Sequence, residues 1–213
     1  RSVNISLVNE MKMISDKFNV DITEVINAAS TKPYGFMKFL PGPGIGGHCI
    51  PVDPFYLTWK AKEYNIHTRF IELAGEINNY MPLWIFEKIN NHLVEKNLFI
   101  KKIKFLVLGA SYKKNISDTR ESPSIKFFNL FIKKGIKFDY HDPYVKKIII
   151  KINGKRKILK SKKINSSTLK KYDCIILLTD HDNVNYDLIY KKAKLIFDSR
   201  SVFKANKQKV ILI

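Results

Sequence analysis

Only two cysteines, Cys49 and Cys174, occur in 213 residues, too few to staple the fold, and a reducing cytoplasm is the expected compartment. No apolar run is long enough to cross a bilayer and no signal-peptide pattern opens the chain, so no membrane partner is expected. Internal repeats and low-complexity linkers are also missing. Acidic side chains are scarce, 19 against 38 lysines and arginines, which leaves a net charge of +19. Such a charge suits nucleic acid, an anionic surface or a negatively charged small substrate. Much of it lies between Lys146 and Lys171, where Asn153-Gly154 between alternating residues marks a type I′ hairpin, so these lysines decorate a surface ribbon. The ribbon has no aromatic residues on which bases could stack. Lys, Ile and Asn also abound along the whole chain, a compositional bias rather than a patch. No nucleic-acid partner is expected, and a basic nucleotide- or nucleic-acid-binding module without chemistry is the competing class.

What is present, 45% hydrophobic and 27% charged residues, is ample for a core in one or two domains. The first half reads helical. Arg1 to Phe18 carries Val3, Ile5, Leu7, Val8, Met11 and Ile14 near helical spacing, and Asp21-Ile22-Thr23-Glu24 has capping-box spacing for a second helix ending near Ala29. A long helix is expected from about Phe70 to Asn97, with Pro82 inside it. From residue 98 the pattern changes. Ile103 to Leu108, Ile136 to Tyr140, Asp173 to Leu178 and Leu195 to Asp198 read as strands, and Ser122-Pro123 caps a helix that Gly135 closes. Helices alternating with strands predict an α/β chain: a helical region over 1–97, then a doubly wound parallel sheet over 98–213 with ligand at the carboxyl ends of its strands.

The most informative segment is Phe36 to Pro54. Gly42, Gly44, Gly46 and Gly47 with Pro41, Pro43, Pro51 and Pro54 forbid regular structure and preshape a loop with exposed N–H groups. Cys49 ends the loop. Asp53-Pro54 is expected to open the next helix, Asp53 as N-cap and Pro54 at the first position. A helix N-terminus favours an anion, so the segment combines an anion cradle, a thiol placed for activation and a positioned carboxylate. Cys174 sits in an apolar strand and reads as buried packing; Cys49, in a Gly/Pro loop, reads as catalytic or ligating. No zinc is expected, because His48 adjoins Cys49 and no second Cys or His pair follows. A satisfied loop histidine and a functional one remain equally open for His48. A Cys-dependent hydrolase would need a histidine base in reach of the sulfur, and the remaining histidines form no such motif. Gly42 to Gly47 lacks the preceding strand of a dinucleotide fingerprint.

A second constellation, Gly109 to Pro123, follows a strand and ends at a capped helix N-terminus, where phosphates bind readily. Lys113, Lys114 and Arg120 supply charge for a diphosphate, although an ordinary solvated loop fits the composition as well. Arg200 follows the strand Leu195 to Asp198, at the sheet edge where ligands of such folds collect.

Pro41-Gly42-Pro43-Gly44-Ile45-Gly46-Gly47-His48-Cys49-Ile50-Pro51-Val52-Asp53-Pro54, the segment Gly109 to Pro123 and Phe197-Asp198-Ser199-Arg200 together resemble the nucleotide-sugar 6-dehydrogenase family. The Gly-Gly-His-Cys form followed by Asp-Pro-Phe-Tyr-Leu is most similar to its UDP-N-acetylglucosamine branch. The resemblance implies NAD-dependent four-electron oxidation of the C6 alcohol of a UDP-N-acetylhexosamine, by a homodimer formed through the helical half. Cys49 would trap the aldehyde as a thiohemiacetal and then a thioester, and Asp53 would organise the hydrolytic water. The backbone around Phe39, Leu40, Gly42, Gly44 and Gly46 would cradle sugar and phosphates. Lys113 would meet the nucleotide, Arg200 the substrate, and Arg120 would reach NAD. His48 departs from the serine or tyrosine of other branches and marks the sugar type. The match covers the family's central and C-terminal parts only. Its catalytic lysine and asparagine and its NAD-binding domain would lie upstream of Arg1, so the 213 residues alone are expected to be inactive.

Overall fold

The computed structural model describes residues 1–152, 154–203 and 208–213. Four helices come first: α1 (Ser2–Lys17), α2 (Ile22–Ala29), α3 (Cys49–Lys62) and α4 (Arg69–Glu95). The Asp21 carboxylate caps α2 by accepting the Thr23 N–H at 2.8 Å. α1 lies along α4, but the apolar stripe that predicts α1 faces outward: Val3, Leu7, Met11 and Ile14 are exposed, while Ser6, Asn9, Lys12 and Ser15 are buried. The polar seam is stable because its groups find partners. Asn9 Nδ2 donates to Asn78 Oδ1 at 2.9 Å, Asn78 Nδ2 donates to the Ala74 carbonyl, and Ser6 and Ser15 bond to carbonyls of their own helix.

The second half alternates: β1 (Phe105–Leu108), α5 (Pro123–Lys133), β2 (Phe138–His141), β3 (Lys147–Ile152), β4 (Lys155–Lys160), α6 (Ser166–Leu169), β5 (Cys174–Leu177), α7 (Tyr186–Lys192), β6 (Leu195–Asp198) and β7 (Val210–Leu212). Five strands form a parallel sheet in the order β2-β1-β5-β6-β7. β1 and β5 are wholly buried, as apolar strands covered on both faces must be. One face packs Phe105, Val107, Ile176 and Phe197 against Phe127, Phe128 and Phe131 of α5, and against Ile85, Ile89 and Leu93 of α4. The other packs Leu106, Leu108, Ile175 and Ile196 against Leu169 and Ile189. The second half of α4 is therefore built into the sheet's core and ties the helices to it.

Without the β3–β4 ribbon the strand order is 2-1-3-4-5, a doubly wound sheet whose connections reverse direction between β1 and β5. A ligand crevice belongs outside the carboxyl ends of those two strands. The ribbon pairs antiparallel as its alternation predicts, with Ile148 and Ile150 turned into the core and Lys147, Lys151, Arg156 and Lys160 outward. Asn153 of the expected turn lies outside the described residues.

One expectation is corrected. α3 begins at Cys49, so Asp53 is not its N-cap and Pro54 lies inside the helix. His48 occupies the cap position, its carbonyl accepting the Val52 N–H at 3.0 Å. Pro51 is tolerated because it falls in the first turn, where a missing N–H costs nothing. The shift places the Cys49 sulfur on the first residue of the helix and folds Asp53 back over His48.

Candidate functional site

The glycine loop crosses from the helices onto the carboxyl edge of the sheet, and its glycines mark the points of closest approach. A Cβ on Gly42 would lie 2.5 Å from an Arg200 Nη, and one on Gly46 would lie 2.3 Å from Tyr112 Cβ. Gly44 has φ +127 and faces the Asn78 backbone oxygen of α4 and the Pro123 ring at the start of α5. The segment thus fits only without side chains between α4, the loop after β1 and the end of β6. Two of its N–H groups are spent inside the protein: Gly42 donates to Asn9 Oδ1 and Gly47 to the Arg120 carbonyl, each at 2.9 Å. The expected cradle of free donors is corrected to that extent. Gly42 offers its bare Cα beside a guanidinium rather than its N–H.

At the end of this buried loop the polypeptide emerges. His48, Cys49 and Asp53 are exposed, and the Cys49 sulfur, an imidazole nitrogen and a carboxylate oxygen lie within 4.8 Å of one another. Cys174 is opposite in every respect, buried in β5 with its thiol pushed up to about 12, first by burial and then by Asp173. The loop after β1 forms the facing wall. Its Arg120 is exposed and held by Asp118, Nη2 to Oδ2 2.6 Å. The guanidinium is shifted upward by that bond and by the Asp118 charge, with smaller contributions from Tyr112 and Cys49. Lys113 is exposed on the same loop, its carbonyl accepting the Ser111 hydroxyl, and Lys114 pairs with Asp182.

Arg200 leaves the end of β6 and turns back into the crevice. Its Nε donates to the Leu178 carbonyl at 2.8 Å, and Asp180 lies 3.8 Å away. Burial depresses the guanidinium while Asp180 and Asp198 oppose it. Phe39 and Leu40 lie at the entrance to the loop, where Phe39 joins Leu7, Met11, Val25 and Met37 around an apolar groove of about 390 Å³ between α1 and α2.

Sequence reasoning missed the scaffold beneath these groups. Asp142, fully buried after β2, accepts the N–H groups of Ala110 and Ser111 through Oδ2 and those of Tyr144 and Val145 through Oδ1. His181 completes it. Its Nδ1 accepts the Asn115 N–H at 2.9 Å, so the proton sits on Nε2, which donates to Asp142 at 3.0 Å. Burial works against the Asp142 charge, but the bonds from His181 and Ala110 win and hold this carboxyl far below its ordinary range. The network fixes the loop carrying Tyr112, Lys113 and Arg120. The sequence signals for it, Asp142-Pro143 at a strand end and Asp180-His181-Asp182 after β5, pass for ordinary loop residues, and Asn9 and Asn78 sit in helices without any pattern.

Comparison with known proteins gives the arrangement its context. Residues 1–80 match the model of the UDP-glucose/GDP-mannose dehydrogenase family, central domain, and residues 106–205 match that family's UDP binding domain. A UDP-N-acetyl-D-mannosamine dehydrogenase of Methanococcus vannielii is 36% identical over 97% of this chain and 46% of its own length. A UDP-N-acetyl-D-glucosamine 6-dehydrogenase of Salmonella typhi is 32% identical over 85% of this chain and 41% of its own. Among solved structures, a UDP-D-ManNAc dehydrogenase from Pyrococcus horikoshii superimposes with a TM-score of 0.81 at 30% identity, covering 99% of this chain and 48% of that one. The chain spans about half the length of the relatives it matches. On sequence and fold together, it belongs to the UDP-glucose/GDP-mannose dehydrogenase family.

Proposed function

We propose that the chain holds the nucleophile and the sugar-nucleotide pocket for oxidation of the C6 alcohol of a UDP-N-acetylhexosamine to the uronic acid. The observation that carries this reading is Cys49, an exposed thiol at the first residue of a helix, at the end of a glycine loop seated on the sheet's carboxyl edge beside Arg200. Residues 1–97 present the loop and residues 98–213 form the nucleotide-binding half, with α4 shared between them. The thiol adds to the C6 aldehyde and prevents its escape, and the adduct keeps the C6 hydrogen that must still be lost. NAD, when bound, supplies the hydride acceptor. Exposed beside Cys49, Arg120 is a cation suited to the phosphates of such a dinucleotide. Asp53 organises the water that releases the acid from sulfur. Lys113 and Arg200 neutralise the diphosphate, and Phe39, Leu40, Gly42, Gly44 and Gly46 supply a close-fitting wall.

The outward stripe Val3, Leu7, Met11 and Ile14 is the face by which two copies form a homodimer, since a monomer leaves that much apolar surface wet. A cytoplasmic location belongs to this reading because both cysteines are free thiols, which suits a reducing compartment; no helix among the described residues is long and apolar enough to cross a membrane. The gluco epimer is proposed on the likeness of the Gly-Gly-His-Cys loop to the UDP-N-acetylglucosamine branch. The manno epimer is the second reading, favoured by the names of relatives matching nearly the whole chain.

Calorimetric titration of the chain with UDP, UDP-N-acetylglucosamine and UDP-N-acetylmannosamine tests the pocket. Arg200→Ala is expected to weaken all three by about 10- to 100-fold, the worth of a charge-assisted bond to phosphate. Unaltered affinity in the variant, or no UDP binding by the wild type, contradicts the assignment.

A further inference from the structure

The glycine loop ends in a histidine whose place in the chemistry neither the spacing nor the family match supplies. His48 Nδ1 lies 3.2 Å from Asp53 Oδ1, and both side chains are about half exposed, 55% and 52%. A pair so open to water adds little to stability, so its consequence lies in what it does to its neighbours. The neighbour is the sulfur. Side chains at consecutive positions ordinarily diverge, but the turn that starts α3 returns Asp53 to His48 and leaves both within 4.8 Å of Cys49 Sγ. His48 Nδ1 faces the Asp53 carboxylate, and a ring nitrogen lies within 4.8 Å of Cys49 Sγ, a span that a small side-chain rotation or one water closes for proton transfer.

We propose that His48 is the proton acceptor for Cys49, oriented by Asp53; the proposal rests on the oxidation reading above and assigns a catalytic group within it. As the sulfur forms its bond to the aldehyde carbon, the carbonyl π pair moves to oxygen. The thiol proton passes to the imidazole and from there to that oxygen, giving a neutral thiohemiacetal with no proton gained or lost. When the thioester is later hydrolysed, the imidazole takes a proton from the attacking water and gives it to the departing sulfur, so that it ends neutral again. A thiol is mostly protonated in neutral water, so a base in reach raises the reactive fraction where it is needed. The charged and titratable groups around the sulfur are His48 and Asp53 beside it and Arg120 on the loop after β1, whose guanidinium is itself held by Asp118 and lies near Tyr112. Arg120 is a fixed cation and cannot accept the thiol proton.

The test is the rate of Cys49 alkylation by iodoacetamide, followed by mass from about pH 5 to about pH 10 in the wild type, His48→Gln and Asp53→Asn. Buried Cys174 gauges folding in the same sample, and a variant in which it also reacts is replaced by His48→Asn. His48→Gln is expected to slow Cys49 about tenfold or more near neutrality and to converge with the wild type at the alkaline end, where hydroxide replaces the base. Asp53→Asn gives a smaller loss of the same shape. Superimposable profiles, or a loss equal at every pH, overturn the proposal. Protection of Cys49 by a UDP-N-acetylhexosamine reads the underlying function separately. If protection persists and the profiles coincide, only the role of His48 falls; if protection is missing in the wild type, the oxidation reading falls.

Discussion

Cys49→Ala is expected to abolish uronic acid formation in any preparation that oxidises a UDP-N-acetylhexosamine with NAD, a loss of about four orders of magnitude or more. The size follows from the chemistry. Without sulfur the aldehyde is neither held nor converted to an adduct that can give up its remaining C6 hydrogen, so the second oxidation loses its route rather than merely its orientation. The first oxidation does not need the thiol. The NADH formed per sugar should therefore fall from two toward one, with free aldehyde trapped by a carbonyl reagent. Cys174→Ala is the control, because that thiol is enclosed by β5 and its neighbours and reaches nothing. Full acid formation by the Cys49 variant would exclude the covalent route.

The second large effect is structural. Gly44→Ala is expected to cost about 2–4 kcal/mol, a fall of roughly 5–12 °C in Tm for a chain of this size. The new Cβ would stand 2.7 Å from the Asn78 backbone oxygen, at a φ of +127 that L side chains rarely adopt. That oxygen belongs to α4, whose far half is locked into the sheet's core, so the neighbour cannot yield. Gly135→Ala separates crowding from backbone preference. Its φ is +69 and nothing lies within 4 Å of the added atom, so about 1 kcal/mol is expected. Thermal melts of the two variants check the difference; equal, small shifts would mean that the loop is not wedged against α4 as described.

Much of this architecture is legible in the residues. β1, β5 and β6 are short apolar runs that only a doubly covered sheet can bury, and Ser122-Pro123 with Gly135 bracket α5 within a residue. β7 escaped notice because three residues beside a lysine-rich stretch carry no periodicity. α1 exposes the limit of amphipathic reading: the stripe is real, but the face that packs within the chain is the serine and asparagine face, because hydrogen-bonded polar groups allow close approach to α4. The cysteine loop could be placed by its glycines and prolines. The start of α3 could not, because Asp53-Pro54 is as good a helix opening as His48-Cys49 and only the tertiary wedge between Tyr112 and Arg200 selects the earlier one. The Asp142–His181 pair depends on contacts across about forty residues, which local pattern cannot register.

The most direct measurement is competitive alkylation of the two thiols in the native chain, with and without a UDP-N-acetylhexosamine. If a sugar carbon docks against an exposed, reactive sulfur, Cys49 is labelled at least about a hundredfold faster than Cys174, and the nucleotide sugar suppresses that labelling while UDP alone suppresses it less. Equal rates at the two cysteines, or fast labelling of Cys49 that saturating nucleotide sugar leaves untouched, would contradict it.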